Sequence, residues 1–157
     1  MDRPLVAASA CLLGSPVRHN GDACEFHPLS RRWSEHLRLL PVCPEVGIGL
    51  GTPRPTIRLS KGENGVRLIE PRSGKDLTDA MVAWATRTAD DLAGLGVNGL
   101  VLKKDSPSCG VERVKVHPAK EGGPQRDGVG VFAMVFMALN PQIPVIEEGR
   151  LNDPNPV

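Results

Sequence analysis

Aromatic residues are scarce in this sequence of 157 residues, which contains two tryptophans, three phenylalanines and no tyrosine. Proteins that bind single-stranded nucleic acids without sequence preference stack the bases on aromatic side chains. The low aromatic content therefore argues against an extended stacking surface for nucleic acid.

The sequence also lacks an excess of charge of one sign and a long apolar run. Its formal net charge is +1, so a nucleic acid would have to bind a local basic patch rather than respond to the field of the whole protein. The most apolar stretch, residues 129–139, is too short to span a bilayer, and the N-terminal segment does not have the pattern of a signal peptide. We therefore expect a cytoplasmic protein that does not bind membranes.

No Cys-x-x-Cys pair is present among the four cysteines. A chain of this length can bury a core without disulfides. In a reducing compartment, widely spaced cysteines indicate buried thiols, catalytic groups or metal ligands. Three of them, Cys11, Cys43 and Cys109, each lie shortly after a short apolar run and before a polar turn.

Short apolar runs alternate with amphipathic segments along the chain, which favours an α/β fold. We expect strands near residues 4–10, 39–43, 98–102 and 143–146, joined by right-handed crossovers into a mostly parallel, Rossmann-like sheet. The prediction is a single-domain three-layer sandwich over residues 1–157, with an irregular tail from about residue 147. Ligands bind beyond the carboxyl ends of the strands in such sheets, and the three cysteines lie at that end.

The segments between these strands are predicted to form helices and a hairpin. We expect helices over residues 29–38, 76–95 and 128–139, a small hairpin made by residues 57–59 and 66–69, and a short strand over residues 114–116. In the longest helix Asp76 is the expected N-cap, and the apolar stripe that includes Met81, Trp84 and Leu95 is expected to face the core.

Three converging thiols are compatible with several kinds of site. A structural zinc ion prefers four ligands and often a local Cys-x-x-Cys pair. A 4Fe-4S cluster tolerates long separations between its cysteine ligands, and with three of them one iron has no protein ligand. Spacing alone leaves a cluster, a zinc ion and buried or reactive thiols open.

Five short segments around the cysteines carry a resemblance to a known family. They are Ser9-Ala-Cys-Leu-Leu-Gly14, Val17-Arg-His-Asn-Gly21, Val42-Cys-Pro-Glu45, Thr52-Pro-Arg-Pro55 and Ser106-Pro-Ser-Cys-Gly110. In this order they resemble the TudS family of thiouracil desulfidases, and the resemblance extends from about residue 4 to residue 150. Residues 128–132 and 147–154 are similar to the subgroup that is often fused to a helical domain and desulfurates 4-thiouridine in tRNA.

The resemblance implies an iron-sulfur enzyme. It implies that Cys11, Cys43 and Cys109 hold a 4Fe-4S cluster, that the open iron binds the sulfur of a thiolated uracil, and that Glu45 and Ser106 are catalytic. The implied substrate is 2-thiouracil, 4-thiouracil or 4-thiouridine, which would yield the oxo-pyrimidine and sulfide. Glu45 would move protons, and Ser106 would either orient a water molecule or attack the ring.

Alternatives remain for the function and for the substrate contacts. The chain could act on 4-thiouridine in tRNA, or serve as a non-catalytic iron-sulfur redox or sensing protein. Cys24 is expected not to be a ligand, and the protein is expected to be a monomer or a small homo-oligomer. Arg54 either reaches the substrate pocket or pairs with an acid. The expected substrate-binding residues are Arg18, His19, Arg54 and Ser108.

Overall fold

Nine strands and three α-helices form the described part of the chain, which comprises residues 3–16, 18–21, 25–26 and 28–152 of a computed structural model. The strands are β1 (Leu5–Ser9), β2 (Arg38–Val42), β3 (Arg58–Gly62), β4 (Gly65–Glu70), β5 (Lys75–Asp76), β6 (Gly99–Leu102), β7 (Val114–His117), β8 (Gln125–Gly128) and β9 (Val145–Glu147). The α-helices are α1 (Pro44–Gly47), α2 (Thr78–Gly94) and α3 (Val131–Leu139).

The main sheet has four parallel strands in the order β2-β1-β6-β9. Side chains alternate between its two faces, as the period of a strand requires. On β1, Ala7 packs toward α2 and α3, whereas Ala8 packs toward the opposite face. The α/β fold and the parallel arrangement of the four predicted strands are confirmed.

Helices α2 and α3 cover one face of the main sheet. Ala85 and Ala89 of α2 and Phe132 and Phe136 of α3 are fully buried. The small alanines let α2 lie close to the sheet and to the phenylalanine rings. Trp84 also contacts Phe132, with 5.4 Å between the ring centroids. The predicted burial of Met81 is confirmed as well.

Short helical turns cover the other face and complete the three layers. Leu12, in a 3-10 turn at Ala10–Leu13, and Leu29, in a π-helical turn at Pro28–Arg32, pack on Val101 of β6. The helix predicted over residues 29–38 is present only as this π-helical turn and a 3-10 turn at Trp33–Glu35, and it ends before β2 begins at Arg38. Leu29 is the buried anchor of this segment while Trp33 is 36% exposed, so the segment has no continuous apolar stripe to stabilise a regular helix.

A second sheet of five strands was not predicted as a whole. Its order is β5-β4-β3-β7-β8, and all its pairs are antiparallel except β3 with β7. The predicted hairpin is confirmed as β3 and β4, and the predicted short strand is β7. Leu59, Leu68, Val114 and Val116 form its inner face and pack on Met81 and Val131. Helices α2 and α3 therefore contact both sheets.

Several predicted boundaries are wrong for local reasons. Helix α2 begins at Thr78 because Asp76 is paired in β5, although the Asp76 carboxylate still accepts the Thr78 N–H at 2.9 Å. Leu95 is 61% exposed rather than buried. The last helix begins at Val131 rather than at residue 128, because residues 125–128 pair with β7 as β8.

The C-terminal segment is more ordered than predicted. Glu147 belongs to β9, and a 3-10 turn follows at Glu148–Asn152. Residues 153–157, which belong to the tail predicted to be irregular, lie outside the described residues. Among the helices that the structure describes, none combines the length and the apolar character needed to cross a membrane.

Candidate active site

A cavity of about 340 Å³ lies at the carboxyl ends of β1, β2 and β6. The nine residues that the sequence singled out for a site all line it: Cys11, Arg18, His19, Cys43, Glu45, Arg54, Ser106, Ser108 and Cys109. Three loops that are far apart in the sequence therefore meet where the parallel topology brings the strand ends together.

Cys43 directly follows β2, and Cys11 lies two residues after the end of β1. Cys11 lies in the 3-10 turn after β1, and this turn ends at Gly14, whose φ of 95° favours glycine. Cys43 immediately precedes α1, and Pro44 occupies the first position of that helix, where its missing N–H is not needed.

Helix α1 is seated on α2 through Gly47. A Cβ atom at Gly47 would overlap the indole ring of Trp84. The absence of a side chain therefore lets α1 approach α2, and this approach fixes the segment that carries Cys43 and Glu45.

Cys109 lies in the loop that follows β6, and it is 5% exposed. The Ser106 hydroxyl oxygen accepts hydrogen bonds from the backbone N–H groups of Ser108 at 3.2 Å and Cys109 at 3.0 Å. The Gly110 N–H donates to the Ser106 carbonyl at 2.8 Å. Ser106 thus shapes the turn that presents Cys109, as short hydroxyl side chains commonly do.

The first turn of α3 docks on the same loop. The N–H groups at the start of a helix have no partner within the helix. Here Gly130, Val131 and Phe132 donate theirs to the carbonyls of Gly110 at 2.7 Å, Pro107 at 3.0 Å and Ser108 at 2.9 Å. The helix therefore stabilises the backbone conformation around Cys109.

Two acidic residues at the end of β9 hold both ends of the loop. The buried Glu148 accepts the Lys104 N–H at 2.8 Å and pairs with the Lys103 ammonium group at 3.1 Å. Glu147 accepts the Val111 N–H at 2.9 Å. Sequence reasoning missed these contacts. The sequence signal for them is a pair of adjacent acidic residues at the end of a predicted strand.

Glu45 is oriented from two sides. Its Oε2 atom accepts a hydrogen bond from Arg54 Nη2 at 2.5 Å, and its Oε1 atom accepts one from Ser108 Oγ at 3.3 Å. Arg54 thus pairs with an acid, which was one of its two predicted roles. His19 approaches through its backbone, because its carbonyl accepts the Arg54 N–H at 2.6 Å.

Burial raises the pKa values of two of the three thiols. It raises the pKa of the Cys109 thiol to about 12, although a hydrogen bond with the Ser9 side chain opposes the rise. Burial also raises the pKa of Cys43. The negative charge of Glu45 raises both pKa values further. A metal that binds these residues must therefore displace protons from them.

Three thiols that line one cavity are a donor set that an iron-sulfur cluster can use. Cys11 and Cys43 are close enough to Cys109 to raise its pKa by their charge. Within the described residues, however, no three His, Cys, Asp or Glu side chains form a group that could hold one metal ion. A 4Fe-4S cluster binds each cysteine through a different iron, so its ligands need not meet at one point. Cys24 lies outside the described residues.

Comparison with known proteins identifies the family. The profile of the 2-thiouracil desulfurase family matches residues 6–148. The chain belongs to this family. YbbK of Bacillus subtilis (strain 168), an uncharacterized protein, is 28% identical over 154 residues, which cover 95% of this chain and 99% of YbbK.

A solved structure of the same family supports both the fold and the family assignment. The 4Fe-4S-dependent thiouracil desulfidase TudS superposes with a TM-score of 0.73 at 32% identity, covering 96% of this chain and 94% of TudS. The predicted membership of the TudS family, and with it of an enzyme family, is confirmed. Membership of the subgroup fused to a helical domain stays a prediction.

Proposed function

We propose that the protein removes sulfur from a thiolated uracil with the help of a 4Fe-4S cluster held by Cys11, Cys43 and Cys109. One observation carries the proposal: the three cysteines share a single cavity with Glu45 and Ser106. When bound, such a cluster supplies an iron without a protein ligand, a soft Lewis acid suited to the thiocarbonyl sulfur.

The net reaction is a hydrolysis, so it needs neither an oxidant nor a reductant. A water oxygen forms a bond to the ring carbon, the carbon–sulfur bond breaks, and sulfur leaves as sulfide. Glu45 is the group in the cavity that accepts a proton from this water and returns it to the leaving sulfur or to a ring nitrogen. Its contacts with Arg54 and Ser108 hold the carboxylate in one direction.

Ser106 acts as a hydrogen-bond donor in this proposal. A serine hydroxyl has one donor and two acceptor sites. Two backbone N–H groups point at its oxygen, those of Ser108 and Cys109, which leaves its own O–H free to orient a water molecule or a substrate carbonyl. A hydroxyl that keeps its proton orients its partner as a donor, and this is the role that we propose for Ser106.

The size of the cavity favours a small substrate. At about 340 Å³ it lies at the lower end of the range for small-molecule sites. We propose 2-thiouracil, 4-thiouracil or free 4-thiouridine as the substrate. The exposed Arg18 and the half-buried His19 line the cavity, where they can contact the pyrimidine carbonyl.

A basic face of the second sheet favours RNA-borne 4-thiouridine as a second candidate substrate. Lys115 and His117 alternate with buried valines on β7. Lys115 lies opposite Arg126 in the register of β7 and β8. Burial is the main cause that lowers the pKa of His117, and the nearby positive charges of Arg58 and Lys115 lower it further. Arg126 pairs with Asp105, a residue of the cavity wall, at 3.2 Å. This is the kind of local patch that binds phosphates.

The deciding experiment compares Glu45→Gln with Glu63→Gln, a matched change in the exposed turn between β3 and β4. Both proteins are reconstituted anaerobically, their iron and sulfide are quantified, and loss of thiocarbonyl absorbance is followed with thiouracils. We expect both to hold the cluster and only Glu45→Gln to lose activity. Unchanged activity in Glu45→Gln would contradict the assignment, and a wild type that holds a cluster but does not desulfurate would favour a redox or sensing role.

The same assay separates the two candidate substrates. Free thiouracils, 4-thiouridine and thiolated tRNA are incubated in parallel with wild type and with Lys115→Gln. If tRNA is a substrate, we expect Lys115→Gln to raise KM for tRNA and to leave KM for the free base unchanged. Equal rates on tRNA for wild type and Lys115→Gln would show that the basic face does not bind the RNA substrate.

A further inference from the structure

The guanidinium group of Arg54 is almost fully buried in the wall of the cavity, with 5% of the side chain exposed. Nη2 donates to Glu45 Oε2 at 2.5 Å, and Nη1 donates to the Gly51 carbonyl at 3.1 Å. A charge-assisted hydrogen bond of this kind is both strong and directional. If one member of a buried pair is removed, the other is left as an uncompensated charge.

The carboxylate of Glu45 is held at both of its oxygens. Ser108, which is 1% exposed, donates to Oε1, while Arg54 donates to Oε2. Ser108 is itself fixed, because its carbonyl accepts N–H groups from the first turn of α3. Arg54 and Ser108 therefore determine together which way the carboxylate faces.

Arg54 also links two walls of the cavity. Its side chain donates to Glu45, which lies in the segment that follows β2. Its backbone N–H donates to the carbonyl of His19, which lies in the loop after β1. One residue thus sets the position of a carboxylate and of a neighbouring loop at the same time.

We propose that Arg54 is a positioning residue that acts through Glu45 and does not itself bind the substrate. The inference rests on the proposed function, because it assigns to Arg54 the task of aiming the group that transfers protons. It follows that the effects of changing Arg54 and Glu45 are strongly coupled, whereas two residues that contact the substrate separately would have independent effects.

A lysine at this position is a sharp probe of the proposal. Lysine keeps the positive charge but has a single ammonium group in place of the planar fork. It cannot hold Glu45 and the Gly51 carbonyl in the same way. Arg54→Lys should therefore retain more activity than Arg54→Gln and less than wild type.

The kinetic test is a double-mutant cycle under anaerobic conditions. It compares wild type, Arg54→Gln, Glu45→Gln and the double variant. The matched control is Arg87→Gln, on the exposed face of α2. We expect Arg54→Gln to lower kcat by about 10- to 100-fold and to change KM by less than about threefold. Added to Glu45→Gln, it should lower kcat by less than about twofold more. Arg87→Gln should behave as wild type.

Multiplicative losses in the double variant, or a raised KM with unchanged kcat in Arg54→Gln, would overturn the proposal and make Arg54 a substrate ligand. A wild type without desulfidase activity would instead overturn the proposed function. A structural readout decides the positioning role in either case. A crystal structure of Arg54→Gln should show the Glu45 carboxylate turned away from Ser108, and Arg54→Lys serves if Arg54→Gln does not fold. An unmoved carboxylate would contradict the inference.

Discussion

Gly130 lies directly against the backbone of Ser108. A Cβ atom at Gly130 would lie 2.5 Å from the Ser108 carbonyl carbon and 2.7 Å from the Cys109 nitrogen. This contact brings the first turn of α3 onto the loop that carries Ser106, Ser108 and Cys109. The absence of a side chain at Gly130 thus lets the helix and the loop meet.

Gly130→Ala should therefore lower both the stability of the protein and its capacity to bind the proposed cluster. Forcing a methyl group into this contact is expected to lower the free energy of unfolding by about 1–3 kcal/mol and to reduce the iron bound per chain. The matched control is Gly94→Ala at the end of α2, where a Cβ atom meets nothing within 4 Å. Urea unfolding and iron analysis of both variants check the prediction, and normal iron content in Gly130→Ala would contradict it.

Gly47→Ala should misplace Glu45 with less effect on the rest of the fold. The added methyl group would overlap Trp84, so α1 must move away from α2. We expect desulfidase activity to fall at least about tenfold, because small errors in the position of a catalytic group are costly. A second change, Trp84→Phe, makes room and should restore part of the activity. If the double variant is no better than Gly47→Ala, the contact does not set the position of α1.

Glu148→Gln should loosen the loop that presents Cys109. The change removes the charge that pairs with Lys103 and weakens the acceptor of the Lys104 N–H. Because Glu148 is buried, we expect a loss of about 1–3 kcal/mol in the free energy of unfolding and faster loss of iron to a chelator. The exposed Glu112, on the same loop, gives the control Glu112→Gln. Equal iron retention in the two variants would count against the role of Glu148.

His117 should make the stability of the protein depend on pH. Burial, with help from the charges of Arg58 and Lys115, lowers the pKa of His117 from 6.5. The unfolded chain therefore binds the proton more readily than the folded one. Stability from the neutral imidazole is fully present above pH 6.5 and is lost as the pH falls toward the lower, folded pKa.

Anaerobic urea unfolding of wild type and His117→Gln between pH 8 and pH 5 measures this effect. Wild type should lose more stability than the variant over that interval, and the difference between the two should be constant above about pH 7. Parallel curves across the whole interval would show that His117 titrates alike in the folded and unfolded chains.

The main sheet could be predicted because its strands carry their own signal. Ala7 and Val101 belong to short apolar runs, and such runs alternating with helices specify parallel strands. The shared cavity of Cys11, Cys43 and Cys109 followed from the same topology, because the three residues lie in loops after strands whose carboxyl ends meet at one edge of the sheet.

The second sheet and the supports of the site could not be predicted in this way. Strand β8 has the sequence Gln125-Arg-Asp-Gly128, which has little intrinsic preference for a strand and depends on its pairing with β7. The roles of Gly130 and Glu148 depend on contacts between distant segments. A local pattern indicates that a residue is a glycine or an acid, but the folded structure determines which backbone group it meets.

The contacts of Glu147 and Glu148 have a consequence for the order of events during biosynthesis. These residues leave the ribosome well after Cys109, and they fasten both ends of its loop only once β9 has joined β6 in the sheet. Until then these contacts cannot help to hold the third thiol beside the other two. We therefore expect the proposed cluster to be loaded only after nearly the whole domain has been synthesised, and a chain truncated before β9 should emerge with its cysteines unoccupied and open to oxidation.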